Sequence, residues 1–299
     1  MQEIHNDIFV QIPAYRDSEL IPTVYDLIEK STFPERLKIV VAWQYSRNEE
    51  NQECLLRKWA NLELIKIPAE ESKGCNWARS IMQQKWNGEK YTLLLDSHHR
   101  FVQGWDEMLI NMYEELKSKG SPHPIITGYL PTYDPLKDPE KRMKNVLKIH
   151  FQERKKGLLF LLKGKEITAS DFMIEPFPAH FCSLHFLFAE GSFNKVLKFD
   201  PSIYFFADEI AIALRAYTLG YDLYHPHQIL GWHLYNRSTR VPHWEDHPEW
   251  KRQNEVSYGR LFKLYNGEIW GDLGIGTQRN IVDYEHFIGM KLIDGYPYV

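Results

Sequence analysis

Residues 93–101 read LLLDSHHRF: three leucines run straight into an aspartate, a serine, two histidines and an arginine. Asp96 and His98, one residue apart, can offer a carboxylate oxygen and an imidazole nitrogen to a single divalent cation. Mixed oxygen and nitrogen ligation suits Mn2+ or similar ions better than Ca2+, so the expected cofactor is Mn2+ or another divalent cation such as Mg2+. A strand-end aspartate is often only a turn former, and paired histidines arise by chance in a chain with 13 of them. The leucine run tilts the balance, because burying charge is costly unless a ligand or partner compensates. A second acidic pair, Asp208 and Glu209, follows the apolar and aromatic stretch in FFADEI. As acids at a helix N-terminus they would be worth only about 0.3–1 kcal/mol each.

These residues need elements to position them. DIFVQIPAY reads as a first buried strand stopped by Pro13, and DSELIPTVYDLIEKST as a helix with an Asp/Ser cap. LKIVVAWQYS and NLELIKIPA are further strands, GCNWARSIMQQKW a helix opening after Gly74, and YTLLLD a fourth strand ending at Asp96. Strands alternating with helices predict a largely parallel α/β sheet covered on both faces. In such sheets ligands bind just outside the carboxyl ends of the strands, where Asp96 sits. Past residue 128 the alternation weakens. PTYDPLKDPEKR reads as a loop, the stretch from GLLFLLKGK to LHFLFAEG as several strands, and FADEIAIALRAYTLGY as a helix stopped by Gly220. HPEWKRQNEVSYGRLFKLY begins a helical, aromatic tail. We expect one domain over 1–299, with a nucleotide-binding half (1–128), an acceptor and donor-sugar half (129–240) and a C-terminal extension (241–299).

Composition sets the outer limits. Of 299 residues 43% are hydrophobic and 25% charged, ordinary for a globular chain with a sizeable core. A formal net charge of −4 argues against nucleic-acid binding through a basic face. The cluster KKGLLFLLKGK reads as a solvated turn. No run is long and apolar enough for a transmembrane segment, and no basic-then-apolar leader is visible. Three cysteines without metal-type spacing fit a reducing, cytoplasmic location.

The segment GCNWARSIMQQKWNGEKYTLLLDSHHRFVQGWDEMLI resembles the GlcNAc-transferase family that modifies hydroxyproline on a cytoplasmic ubiquitin-ligase subunit. The shared features are a glycine, a Trp-Ala-Arg helix, a Gly-Glu-x-Tyr turn, the Asp-Ser-His strand end and Gly-Trp-Asp. IFVQIPAYRDSEL, FFADEIAIALRAYTLGYDLYHPHQILGWHLYNR, WEDHPEW and GIGTQRNIVDYEHFIGM extend the resemblance over nearly the whole chain; it is weakest from about 134 to 175. It implies a GT-A type fold with a mixed central sheet, a divalent cation, and retaining transfer of a sugar from a UDP-sugar, most readily UDP-GlcNAc. The acceptor would be a hydroxyl of a protein or glycan.

Asp-Ser-His is also similar to the metal motif of the mucin-type polypeptide N-acetylgalactosaminyltransferases, in which a later histidine completes the ligands. That points to His233 in GWHLYNR, with His225 and His227 as competitors. Uracil and ribose would meet Ala14, Tyr15, Arg16 and Asp17 at the first strand end. Arg79, early in its helix, would meet the diphosphate, with Ser97 nearby and Lys73 a weaker candidate. Tyr235 and Arg237 would close over it. Glu209 and Asp208 would serve the donor sugar, the acceptor or positive charge at the anomeric carbon. Family members have Gly-Glu-Glu where this chain has Ala-Asp-Glu, which leaves Asp208 the weaker carry-over. Trp105 and Asp106 would border the sugar pocket or simply pack, and FPAHFCSLHFLF would line an acceptor groove or fill the core. No nucleophile is evident. The alternatives are a metal-dependent hydrolase and a non-catalytic sugar-nucleotide or glycan-binding protein.

Overall fold

The structure, a computed structural model, describes residues 7–167 and 173–293. Strands β1 (Ile8–Tyr15), β2 (Leu37–Tyr45), β3 (Leu62–Pro68) and β4 (Tyr91–Leu95) run parallel in the order β3-β2-β1-β4. Helices α1 (Leu20–Glu29), α2 (Glu53–Leu56), α3 (Cys75–Gln83) and α4 (Trp105–Ser118) belong to this half, together with the short strand β5 (His99–Phe101). The same sheet continues through β6 (Pro124–Thr127), β9 (Phe177–Pro178), β10 (Phe186–Glu190) and β11 (Asp222–His225) in the order β4-β10-β6-β11-β9. β10 lies antiparallel to β4 and β6, so the eight-stranded sheet is mixed, as expected.

Alternation along β1 explains the layers. Ile8, Val10 and Ile12 face α1 and α4, while Phe9 faces Ala78 and Met82 of α3. All of β4 is buried, which is why it reads as an unbroken apolar run. A larger core in the second half packs α6 (Asp208–Thr218), α8 (Trp250–Tyr265) and α9 (Ile281–Ile288) on the sheet. The remaining short helices are α5 (Phe193–Val196) and α7 (His243–Asp246).

Two small sheets stand apart. β5 pairs antiparallel with β12 (Gly231–His233), which sets His233 opposite His99. β7 (Leu147–Lys155) and β8 (Leu159–Glu166) form a hairpin whose turn, Lys156–Gly157, has positive φ at both residues. This is the turn expected in KKGLLFLLKGK.

Two local expectations change. Pro13 does not stop β1, which pairs with β2 as far as Tyr15; its register with β4 ends at Gln11, before the proline. The α1 N-cap is Glu19, with no side-chain cap of its own. Asp17 instead accepts the Glu19 N–H at 3.0 Å, forming a turn ahead of the helix.

Candidate functional site

The end of β4 delivers Asp96, and the backbone then turns into β5. The β5–β12 pairing carries His233 back beside it, and Leu234 N–H donates to His98 O at 3.0 Å. His98 Nε2 lies 3.8 Å and His233 Nε2 3.6 Å from Asp96 Oδ2. One ligand atom from each of the three residues falls within 4.8 Å of the other two. Residues 96, 98 and 233 are thus brought together, whereas His225 and His227 are not. His225 is buried in the sheet between Thr127 O and Ile149 N, and His227 faces Gln228.

The hydrogen bonds around the cluster fix its chemistry. His98 Nδ1 donates to Asp17 Oδ2 at 2.6 Å, and Ser97 Oγ donates to the same oxygen at 2.6 Å. A carboxylate only accepts, so Nδ1 carries a proton, and it is the tautomer with Nε2 as the lone-pair atom that this bond selects. That Nε2 is buried without a partner, as are both ring nitrogens of His233. Burial, with His98 and His99 nearby, drives the His233 pKa well down, so its imidazole is neutral and its approach to Asp96 is not an ion pair. Burial alone would raise the Asp96 pKa, but Arg79 and the surrounding histidines bring it below the usual value. Two imidazoles with unpartnered ring nitrogens and an ionised carboxylate, with a second carboxylate behind one ring, form a donor set that fits a divalent cation.

Glu209 and Asp208 open α6. Ser183 Oγ (2.9 Å) and Leu184 N–H (3.2 Å) donate to Glu209 Oε1, and Tyr129 OH to Oε2 at 2.9 Å. Leu130 N–H donates to His185 Nε2, so His185 Nδ1–H must donate onward to Ser183 Oγ at 2.7 Å. The chain of bonds therefore runs in one direction, towards Glu209. His185 also stacks on His233 with ring centroids 4.1 Å apart, linking the two groups. Asp208 accepts from Arg79 at 3.1 Å, and Arg79 also reaches Asp96 (3.3 Å) and Leu184 O (3.2 Å). The Glu209 pKa is raised by burial and then by Asp208; that of Asp208 is raised by burial, against the pull of Arg79. The residue before the pair, Ala207, has φ +97°. That left-handed turn explains the glycine expected there, since a side chain costs about 1–2 kcal/mol in this region.

Two cavities meet at Asp96. The first, about 150 Å3, is walled by Tyr15, Gln44, Tyr204, His243 and Trp244, with Gly74 at its edge. The second, about 390 Å3, holds Tyr129, Leu161, His185, Asp208, Glu209 and His233. Asp96, Cys75, Phe205, Arg237 and Arg240 line both. The backbones of Asp17 and Arg240 meet in an antiparallel β-bridge, and Tyr15 OH and Arg16 both donate to Asp246 in α7, which fastens residues 236–247 over the first cavity.

The other expected residues fall into place around these cavities. Tyr15 lines the first, but Ala14 is in the core and Arg16 is spent on Asp246. Asp17 and Ser97 support His98, and Arg79 is matched by carboxylates. Tyr235 donates to Leu130 O, and Arg237 lies over Trp244. Lys73 lies over Trp77, away from both cavities. Trp105 is core; Asp106 accepts from Ser31, Thr32 and Phe33. Of FPAHFCSLHFLF, Leu184 and His185 line the second cavity. The sequence reading missed Arg240, whose Nη1 donates only to the carbonyls of Leu234 and Asn236. It also missed Tyr129, Tyr204 and Trp244, and took in His185 only as part of FPAHFCSLHFLF. Only the position of Arg240 shortly after His233 could have flagged any of them.

A search of curated protein sequences gives no match. Among solved structures, GalNAc-T7 with UDP, GalNAc and Mn2+ superposes with TM-score 0.61 at 16% identity, over 97% of this chain. The chain spans 55% of the length of GalNAc-T7. S. aureus TarS 1–349 in complex with UDP-GlcNAc gives TM-score 0.57 at 13% identity, over 94% of this chain and 70% of that one. These likenesses show a GT-A type fold. The model of the family Glycosyltransferase (GlcNAc) matches residues 7–61 and 49–269, most of the sequence, and the chain belongs to that family.

Proposed function

We propose that the protein is a metal-dependent, retaining glycosyltransferase that moves GlcNAc from UDP-GlcNAc to a hydroxyl of a protein or glycan. The observation that carries this reading is the cluster of Asp96, His98 and His233 at the junction of a ring-lined cavity and an acid-bearing one. A donor lying across the junction puts its nucleoside among Tyr15, Tyr204, His243 and Trp244, and its sugar beside Glu209. The complexes of GalNAc-T7 with UDP and Mn2+ and of TarS with UDP-GlcNAc support the donor class.

Asp96, His98 and His233 would hold the cation, which when bound supplies positive charge to a departing diphosphate. The chain's own residues do the rest. Asp17 keeps His98 in the tautomer with a free Nε2. Arg240 and Arg237, which form no ion pair among the described residues, offer guanidinium groups to phosphate oxygens. Tyr129, Ser183 and the Leu184 amide occupy both oxygens of Glu209, fixing its carboxyl group in place beside the sugar rather than leaving it a free nucleophile. This favours a same-face transfer, which demands positioning and charge stabilisation, over a double displacement. No described helix is long and apolar enough to cross a membrane. None of the three cysteines is paired, in keeping with a cytoplasmic enzyme.

The test is UDP release from a panel of UDP-sugars, with Mn2+ or with EDTA. Release from UDP-GlcNAc alone, abolished by EDTA, is the expected result. Release from a different UDP-sugar would change the donor, and equal release in EDTA would remove the cation from the reading.

A further inference from the structure

The β7–β8 hairpin has two unlike faces. Leu147, Ile149 and Phe151 lie on the inner one, where Gly164 also sits so close that a Cβ there would meet Leu147 at 2.8 Å and Tyr129 at 3.6 Å. On the outer face the register sets Lys148 directly opposite Lys165, and His150 directly opposite Lys163. Like charges placed opposite one another destabilise a hairpin. Among the described residues no carboxylate pairs with Lys148, Lys163 or Lys165. The hairpin's two acids are engaged elsewhere, Glu153 with Lys155 and Glu166 with Asn145. Residues 147–166 carry six Lys or Arg against two Glu, in a chain whose net charge is −4.

This face leads to the candidate site. Leu159–Leu162, from both sides of β8, line the second cavity that holds Glu209, and alternation puts Leu159 and Leu161 on the same side as Lys163 and Lys165. At about 3.4 Å per residue, Lys165 stands roughly 14 Å from Leu161, four residues of extended chain.

We propose that the outer face of the hairpin docks an acidic, extended segment of the protein acceptor and leads it past Leu161 to the second cavity. The proposal rests on the transferase reading above and names the partner of that site. It places acidic residues within about four positions of the accepting hydroxyl, on one side only. Exposed lysines acting together steer and hold such a segment, and added salt weakens the hold.

The experiment uses fluorescein-labelled dodecapeptides with a central serine. One carries four glutamates on its N-terminal side, one four on its C-terminal side, and two controls carry glutamine or lysine. Fluorescence anisotropy on the full chain should show one glutamate peptide binding about tenfold tighter than the glutamine peptide. That advantage should vanish in K163E/K165E. K163Q/K165Q, checked by circular dichroism, replaces the reversal if the reversal misfolds. Equal affinity for all the peptides, or an advantage that survives both variants, would overturn the proposal. So would tighter binding of an oligothymidine that is lost in the same variants, which would assign the face to nucleic acid. UDP release without acceptor, measured in parallel, reads the transferase proposal separately. Its absence would count against that reading and leave the docking result standing.

Discussion

The two cavities that share Asp96 are built on different principles. The first is a slot of rings closed by residues 236–247, with Asp96 the one acid in its lining and Asp17 and Asp246 engaged behind its wall. The second holds two half-buried carboxylates side by side and a one-way chain of hydrogen bonds that ends on one of them. A slot of rings selects by shape and stacking. Half-buried acids select by charge, and they act most strongly on a group that becomes positive during reaction. On the proposed transferase reading, the first cavity would supply affinity and the second rate, with the junction serving both.

The sharpest way to break that division is at the junction. His233→Ala should abolish Mn2+-dependent UDP binding and transfer together, read by titration with and without EDTA. Full activity would put the third ligand elsewhere. Glu209→Gln touches only the second cavity, so turnover should fall by about 10²–10³-fold while UDP affinity holds. The reverse pattern would make Glu209 a nucleotide contact. Asp17→Ala removes the acceptor that fixes the His98 tautomer and should weaken Mn2+ binding by about 10–100-fold, measured by calorimetry.

The fourth prediction concerns stability and pH. Burial and Asp208 raise the Glu209 pKa in the folded protein above its unfolded value. Its protonated form therefore contributes stability that is full below the unfolded carboxylate pKa and is lost as pH rises through the folded one. The melting temperature of Glu209→Gln should gain on that of the wild type between pH 5 and pH 9, with each tenfold weakening of acidity worth about 1.4 kcal/mol. A flat difference would mean that Glu209 is ionised throughout. The smallest effect is expected at Ala207. Ala207→Gly should relieve the left-handed turn and stabilise the fold by about 0.5–1 kcal/mol net, because glycine's freedom in the unfolded chain offsets part of the gain. Denaturant unfolding checks it.

Much of this was legible in the sequence where chemistry and local pattern coincide. β4 ending at Asp96 could be read from three leucines and a polar stop, and α6 from its spacing and Gly220. His233 needed the family resemblance, since nothing in GWHLYNR says that β12 pairs with β5. What could not be read were partnerships across long stretches of chain. Asp17 and His98 are 81 residues apart, and Tyr129 and Glu209 are 80. Asp17 looks like a turn acid in sequence, and it is one, accepting the Glu19 amide; its other oxygen does the work at the site. Arg79 was singled out as a cation for a substrate anion, yet two carboxylates of the protein claim it, and residue types alone cannot reveal that competition. The hairpin's cationic face is invisible without the register of β7 on β8.

One contact at the mouth of the first cavity has a wider consequence. A Cβ on Gly74 would lie 2.6 Å from the ring of Tyr204 and 2.9 Å from its carbonyl oxygen, and the backbone there already has φ +106°. Tyr204 can rest where it does only because residue 74 presents hydrogen. The gauge of the slot, and with it the size of ring that fits, is set by a side chain the sequence withholds. Any residue but glycine would act there as a shim, pressing on the tyrosine that walls the slot.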